Sequence, residues 1–181
     1  MNFKSFSFAP EIIQALDELN YHTLTPIQRA AIPAVRKGKD VLASAQTGTG
    51  KTAAFALPVI QKLIESDLST TNAPTALVLA PTRELAEQIA NNCKEYAKHT
   101  SLKVVSLFGG VNTAGQENAL KAGVDIVVAT PGRLLDHIRL GNLSLANVKH
   151  LVLDEADRML DMGFITDMQT VIKSCADDRQ I

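Results

Sequence analysis

The chain has 181 residues, 46% hydrophobic and 20% charged, which is the length and balance of one globular domain. Eighteen basic and nineteen acidic residues leave a net charge of −1, so bulk charge gives no support to a nucleic-acid surface, and any such surface must be local. No apolar run is long enough to span a bilayer, and Met1-Asn2-Phe3-Lys4-Ser5-Phe6 lacks the basic segment and apolar core of a signal peptide.

In chain order, helices are predicted at 10–19 and 26–37, the second opened by Thr25 as a cap with Pro26 in the first turn. A strand is predicted at 40–45, then a helix at 52–66 and a polar surface loop at 66–74. Further strands are expected at 76–80, 104–108, 126–129 and 151–154, with helices at 83–99, 113–122 and 131–140 between them. In 83–99 the residues Leu85, Ile89, Cys93 and Tyr96 recur at helical spacing. Thr130-Pro131 repeats the cap-and-proline signal. The strands are rich in Val, Leu and Ile without alternation, as in strands buried on both faces. Such alternation of strand and helix predicts an α/β fold, a mostly parallel sheet with helices on both faces, and ligands at the carboxyl ends of its strands.

The segment Ala45-Gln46-Thr47-Gly48-Thr49-Gly50-Lys51-Thr52 sits between a strand-like and a helix-like run. That context makes it a phosphate cradle. Gly48 and Gly50 allow the backbone to curl round an anion, and the first helical N–H groups then point at it. Lys51 would reach the β- and γ-phosphates of a nucleotide, and the Thr52 hydroxyl would hold Mg2+. Ala45 stands where the general phosphate-loop pattern has glycine. Leu151-Val152-Leu153-Asp154 is an apolar strand ending in acid, followed by Glu155. Asp154 is placed to take the metal from the side opposite Thr52, and Glu155 to orient or deprotonate the attacking water. Together these elements imply a Mg-dependent nucleoside triphosphatase.

At Asp154-Glu155-Ala156-Asp157 the chain spells the name of the DEAD-box family of ATP-dependent RNA helicases, which it resembles along its whole length. The resemblance implies the N-terminal of that family's two RecA-like domains. Thr25-Pro26-Ile27-Gln28 is similar to the family's Q motif, which implies that Gln28 recognises the adenine edge. Phe3, seventeen residues before Asn20, matches an upstream aromatic that packs around the same base, and Tyr21 offers a further aromatic face. Ala45 is the family's usual first residue, so 45–52 resembles its first motif without blemish. Asn20 and Leu24 depart from the glycine and proline common at those places, which bears on loop geometry. Pro81-Thr82-Arg83-Glu84-Leu85, Gly109-Gly110 and Thr130-Pro131-Gly132-Arg133 resemble the RNA-facing motifs. The spelling Met159-Leu160-Asp161-Met162-Gly163-Phe164 most resembles bacterial members of the RhlE kind.

Read by their own chemistry, these RNA-facing segments follow strands, and two precede helices. Free N–H groups, hydroxyls, Arg83 and Arg133 suit phosphate oxygens, and such contacts read no bases. Helix caps and a glycine turn without a ligand fit the same residues. The cysteines, Cys93 and Cys175, and the histidines, His22, His99, His137 and His150, form no metal spacing; reduced thiols suit a cytoplasmic protein. Met159 and Met162 read as packing, and Lys94, Lys98 and Lys103 as a solvated face.

The resemblance also implies a Ser-Ala-Thr strand and a second RecA-like domain beyond Ile181. That domain would supply arginine fingers worth about 10³–10⁵ in rate, so negligible ATPase activity is expected of the 181 residues alone. Without the strand that would separate the phosphate-loop and Asp154 strands, two open sheet edges are expected, inviting pairing with a second copy. A P-loop DNA helicase domain, and a nucleotide-dependent binding module without turnover, are the alternatives.

Overall fold

The computed structural model describes residues 2–46, 48–66, 73–110 and 113–181. Thr47, expected in the phosphate loop, and most of the loop expected at 66–74 lie outside these residues. After a 3-10 turn at Phe3–Phe6 come helices α1 (Pro10–Glu18), α2 (Pro26–Arg36) and α3 (Lys51–Ser66). Strands and helices then alternate through β1 (Ala76–Leu79), α4 (Arg83–Tyr96), β2 (Val104–Leu107), α5 (Thr113–Lys121), β3 (Ile126–Ala129), α6 (Pro131–Arg139) and β4 (His150–Leu153). Helices α7 (Ala156–Asp161) and α8 (Ile165–Ser174) follow. The chain forms two compact units: one holds α1 to α3 with residues 92–101, the other the four strands, the start of α4, and α5 to α8.

In the first unit, α2 buries Gln28, Ala31, Ile32 and Val35, the i, i+3, i+4, i+7 stripe of an amphipathic helix, and packs on α3. Helix α3 buries Ala53, Ala54, Ala56, Leu57, Ile60 and Leu63, and its small residues allow close approach of the neighbouring helix. Of the expected 83–99 stripe, Ile89, Cys93 and Tyr96 are buried, and Leu85 is only partly so. The Cys93 thiol is pushed up to about 12 by burial, which makes it inert packing.

The second unit is organised by a four-stranded, all-parallel sheet in the order β2-β3-β1-β4. β1 and β3 are central and buried at every residue; β2 and β4, at the edges, are partly exposed. Burial on both faces explains their unbroken apolar sequences. The core gathers Leu77, Leu79, Leu107, Val127, Leu134, Leu151 and Met159, all within 2% of full burial. The register aligns Leu107, Ala129, Leu79 and Leu153, so all four strands end at one level.

The expected strand at 40–45 does not form. Residues 41–46 take no regular structure, and the Leu42 side chain is fully exposed at 102%. Val41, Leu42 and Ala43 have strand-like composition, but a strand exists only where a neighbouring ladder supplies its hydrogen bonds. Helices α7 and α8 were not anticipated; α7 spans only six residues, too few for a periodic signal.

Four helices end alike. After α1, the N–H of Asn20 donates to Asp17 O and that of Tyr21 to Leu16 O, at 3.1 and 2.9 Å. This is the Schellman turn, repeated at Gly38, Gly141 and Gly163 after α2, α6 and α7. Asn20 takes the left-handed conformation (φ 59°) that glycine takes in the other three. Asparagine tolerates that region better than other non-glycine residues, so the departure at position 20 preserves the loop geometry. In chemical denaturation Asn20→Gly should lie within about 0.5 kcal/mol of the parent, while Asn20→Val should lose about 1–2 kcal/mol. Equal stability of the two variants would show that the turn does not require φ > 0.

Candidate functional site

In the first unit the phosphate loop turns through two left-handed glycines, Gly48 (φ 84°) and Gly50 (φ 79°), before α3 begins at Lys51. The Thr49 hydroxyl closes the turn onto the Gln46 carbonyl at 2.6 Å. The first N–H groups of α3 have no intrahelical acceptor and face this turn, a ready anion site. Lys51 and Thr52, the first two helical residues, are partly exposed.

Gln28 sits against this loop. Its Oε1 accepts the Thr25 N–H at 2.9 Å, and its Nε2 donates to the Gly50 carbonyl at 3.1 Å. A Cβ on Gly50 would press on Gln28 Nε2 and lie 3.0 Å from Thr25 Oγ1, and its φ of 79° is one that side chains rarely adopt, so glycine is favoured there. Gln28 is 3% exposed. Its two bonds tie the first turn of α2 to the glycine turn before α3. Phe3 is also buried, stacked on Tyr21 with centroids 6.4 Å apart, and Tyr21 leans on Tyr96 at 6.2 Å. Of Phe3 and Tyr21, only Tyr21, 38% exposed, presents a ring outward.

In the second unit the other expected residues gather at the carboxyl edge of the sheet. Backbone bonds clamp them there: Ala80 N–H to Ala129 O, Thr130 N–H to Leu107 O, and Asp154 N–H to Leu79 O, at 2.9–3.0 Å. After β1, Pro81 is buried and the Thr82 hydroxyl caps α4 by accepting the Leu85 N–H at 3.3 Å. Arg83 is exposed, with its guanidinium 5.2 Å from the Phe108 ring centroid, and its Nη1 lies 2.9 Å from where a Cβ on Gly110 would stand. Gly109 and Gly110 are exposed after β2. After β3, Thr130 is extended and Pro131 opens α6, leaving Gly132 exposed and Arg133 half-buried. The strand order therefore sets the edge as Gly109-Gly110, Thr130 to Arg133, Pro81 to Arg83, then Asp154-Glu155.

Asp154 is buried to 5% exposure. Glu155 caps α7 in the left-handed region (φ 51°, ψ 50°), and its Oε2 meets Arg158 Nη1 at 3.3 Å. A non-glycine residue there costs about 1–2 kcal/mol, and strain of this kind concentrates at functional sites. Glu155→Asn should therefore raise thermal stability by about 0.5–1 kcal/mol, since the exposed pair with Arg158 contributes little. A lower melting temperature for that variant would contradict the strain.

Sequence reading missed Gln116 and gave His137 no role. Both are buried: Gln116 bonds the Phe108 carbonyl, Arg133 and His137, at 3.0, 3.3 and 2.8 Å. Among the described residues, no group of three His, Cys, Asp or Glu could hold a metal by itself, and no helix is long and apolar enough to cross a membrane.

A parallel α/β sheet bearing basic and glycine turns on its carboxyl edge, with a glycine phosphate loop elsewhere in the chain, defines a nucleotide-binding class. The DEAD/DEAH box helicase family model matches residues 25–181. The chain is 48% identical to the ATP-dependent RNA helicase DeaD of Escherichia coli over 98% of its length, and 45% identical to that of Haemophilus influenzae over 99%. It spans 28% and 29% of those relatives, and the finer RhlE-like likeness is not carried by their names. Among solved structures it is similar to a DEAD box protein from Methanococcus jannaschii, with TM-score 0.89 and 39% identity, covering all of this chain and 48% of that one. A hypothetical ATP-dependent RNA helicase from Sulfolobus tokodaii gives TM-score 0.83 and 37% identity over 94% of this chain and 48% of that one. The chain belongs to the DEAD/DEAH box helicase family.

Proposed function

We propose that this chain is the ATP- and RNA-binding half of an ATP-dependent RNA helicase, acting with a second RecA-like domain to couple ATP hydrolysis to local opening of short RNA duplexes. The observation that carries the reading is the carboxyl edge of the sheet, where three backbone turns with Arg83, Arg133 and exposed glycines share one level. Such an edge offers N–H groups and guanidinium donors to phosphate oxygens and nothing to base edges, so binding is sequence-independent. Preference for RNA over DNA requires contact with the 2′-hydroxyl. The relatives that the chain resembles, ATP-dependent RNA helicases, favour the same substrate.

On the nucleotide, the loop at 48–50 and Lys51 take the phosphates, and Tyr21 offers an exposed ring to the base, backed by Phe3. Gln28 serves by holding the loop through Gly50. The Thr52 hydroxyl and the Asp154 carboxylate are hard oxygen donors of the kind that hold Mg2+, which when bound neutralises developing phosphate charge. Glu155 orients or deprotonates the attacking water. The work of such a protein belongs to the cytoplasm, where Cys93 and Cys175 stay reduced.

At the outer side of β4, the Leu151 N–H donates to Gln180 O and the Gln180 N–H to Lys149 O, at 2.9 and 2.7 Å. The chain's own residues thus occupy part of that edge, and we propose that a second copy pairs there only if it displaces them.

In the full-length protein, Glu155→Gln should cut RNA-stimulated ATP hydrolysis by about 10²–10⁴-fold while leaving ATP binding intact. Unchanged hydrolysis would remove Glu155 from this role. At matched salt, single-stranded RNA should displace a labelled RNA probe better than DNA of the same sequence; a DNA preference would favour a DNA helicase instead.

A further inference from the structure

The turns at the sheet edge are joined by a buried set of side chains behind them. Gln116, on α5, faces Phe108, Arg133 and His137 at once. The Phe108 carbonyl can only accept, and the Arg133 guanidinium can only donate. That fixes the amide: Nε2 donates to Phe108 O at 3.0 Å, and Oε1 accepts from Arg133 Nη1 at 3.3 Å. His137 Nε2, 2.8 Å from the same Oε1, must then carry a proton. In the neutral ring Nδ1 is then bare and accepts from Asn142 Nδ2 at 3.0 Å. Flipping the Gln116 amide would oppose donor to donor at Arg133 and acceptor to acceptor at the Phe108 carbonyl.

Local sequence builds this arrangement. Arg133 and His137 are four apart on α6 and so share a face. The Schellman turn at Gly141 (φ 74°) ends α6 with the Asn142 N–H on the His137 carbonyl at 2.9 Å, which brings the Asn142 side chain back to the imidazole. Phe108 immediately precedes Gly109-Gly110, and its ring lies under Arg83.

We infer that Gln116, held by His137 and Asn142, is a positioning residue that locks the Gly109-Gly110 turn and Arg133 into one register for the RNA backbone. It contacts the two motifs from behind and is 8% exposed, so it does not itself reach RNA. The inference rests on the reading above that these motifs bind RNA.

The network requires a neutral imidazole. The charged groups facing His137 are Arg133 and Asp136 on its own helix and Glu117 on α5. Burial, followed by Arg133, holds its affinity for a proton below the ordinary range, against partial opposition from Glu117 and Asp136. A histidine with a depressed folded value is neutral and network-competent above its ordinary value of about 6.5. As pH falls from there through the folded value, the unfolded chain binds more protons and the stabilisation is lost. Protonation places a hydrogen on Nδ1 facing the Asn142 amide donors.

The test measures binding of a fluorescent oligouridylate to the full-length protein with a non-hydrolysable ATP analogue. Gln116→Met should weaken RNA binding about tenfold with ATP-analogue affinity unchanged, the fold-change of one lost charge-assisted contact. Arg133→Ala should also weaken binding, and the double variant should fall within about twofold of Arg133→Ala alone, because both act through one network. Gln116→Glu separates the two arms: its carboxylate accepts from Arg133 and from a protonated His137 but has no donor for the Phe108 carbonyl, so it keeps Arg133 and frees the glycine turn. The parent's RNA affinity should hold from pH 7.5 to about 6.5 and fall only below that, as pH drops through the depressed folded value of His137, while that of Gln116→Glu should not fall there. Full affinity in Gln116→Met, additive losses in the double variant, or the same pH trend in Gln116→Glu and the parent would each overturn the inference. If Arg83→Ala and Arg133→Ala both bind RNA normally, the RNA reading itself fails, and this inference falls with it.

Discussion

Parallel pairing in register, more than any single side chain, determines what this molecule can do. Leu107, Ala129, Leu79 and Leu153 stand side by side across the sheet, so the residue after each strand emerges at the same height. Neighbouring strands lie about 4.8 Å apart, which brings the connections after β1, β2 and β3 within reach of successive groups on one extended ligand. A slip of one residue in any strand would turn its apolar faces over and move its loop off the edge. The buried strands β1 and β3 make such a slip costly, since every residue in them is packed on both sides.

Around that edge, polar groups are held from behind as well as presented in front. Phe108 supports Arg83, Gln116 supports Arg133 and the glycine turn, and Leu79 O anchors Asp154 through its N–H. The first unit follows the same logic on a smaller scale, with Gln28 clasping the Gly50 carbonyl from the first turn of α2. In both units a buried glutamine uses its acceptor and its donor to tie a glycine-bearing loop to a helix. Glutamine suits the task because one planar amide carries both functions without the desolvation penalty of a charge.

Much of this was legible in the sequence, and the failures are informative. The strands β1 to β4 were each located to within a residue or so because their apolar runs reflect burial on both faces. Thr25-Pro26 and Thr130-Pro131 announced α2 and α6 through the proline of the first turn, a local preference. The Thr130 side chain does not add to it, since it makes no cap bond. The segment 40–45 was misread because ladder membership depends on a neighbour that local composition does not encode. Asn20 looked like a departure from pattern, yet it keeps the left-handed turn that glycine would have provided. The burial of Gln28 and Phe3 could not be known without the packing around them. Gln116, His137 and Asn142 are separated by up to 26 residues and meet only once α5 and α6 are set in place. No spacing rule could have joined them.

The account's central claim is that the carboxyl edge of the sheet is the RNA-binding face. Backbone hydrogen exchange of the full-length protein, with and without oligouridylate and a non-hydrolysable ATP analogue, tests it directly. RNA should slow exchange at residues 82–84, 109–110, 130 and 132–133, and leave the turns at the opposite end of the strands, near 75, 103 and 125, unchanged. Protection at that opposite end, or none at the carboxyl edge while RNA is bound, would contradict it.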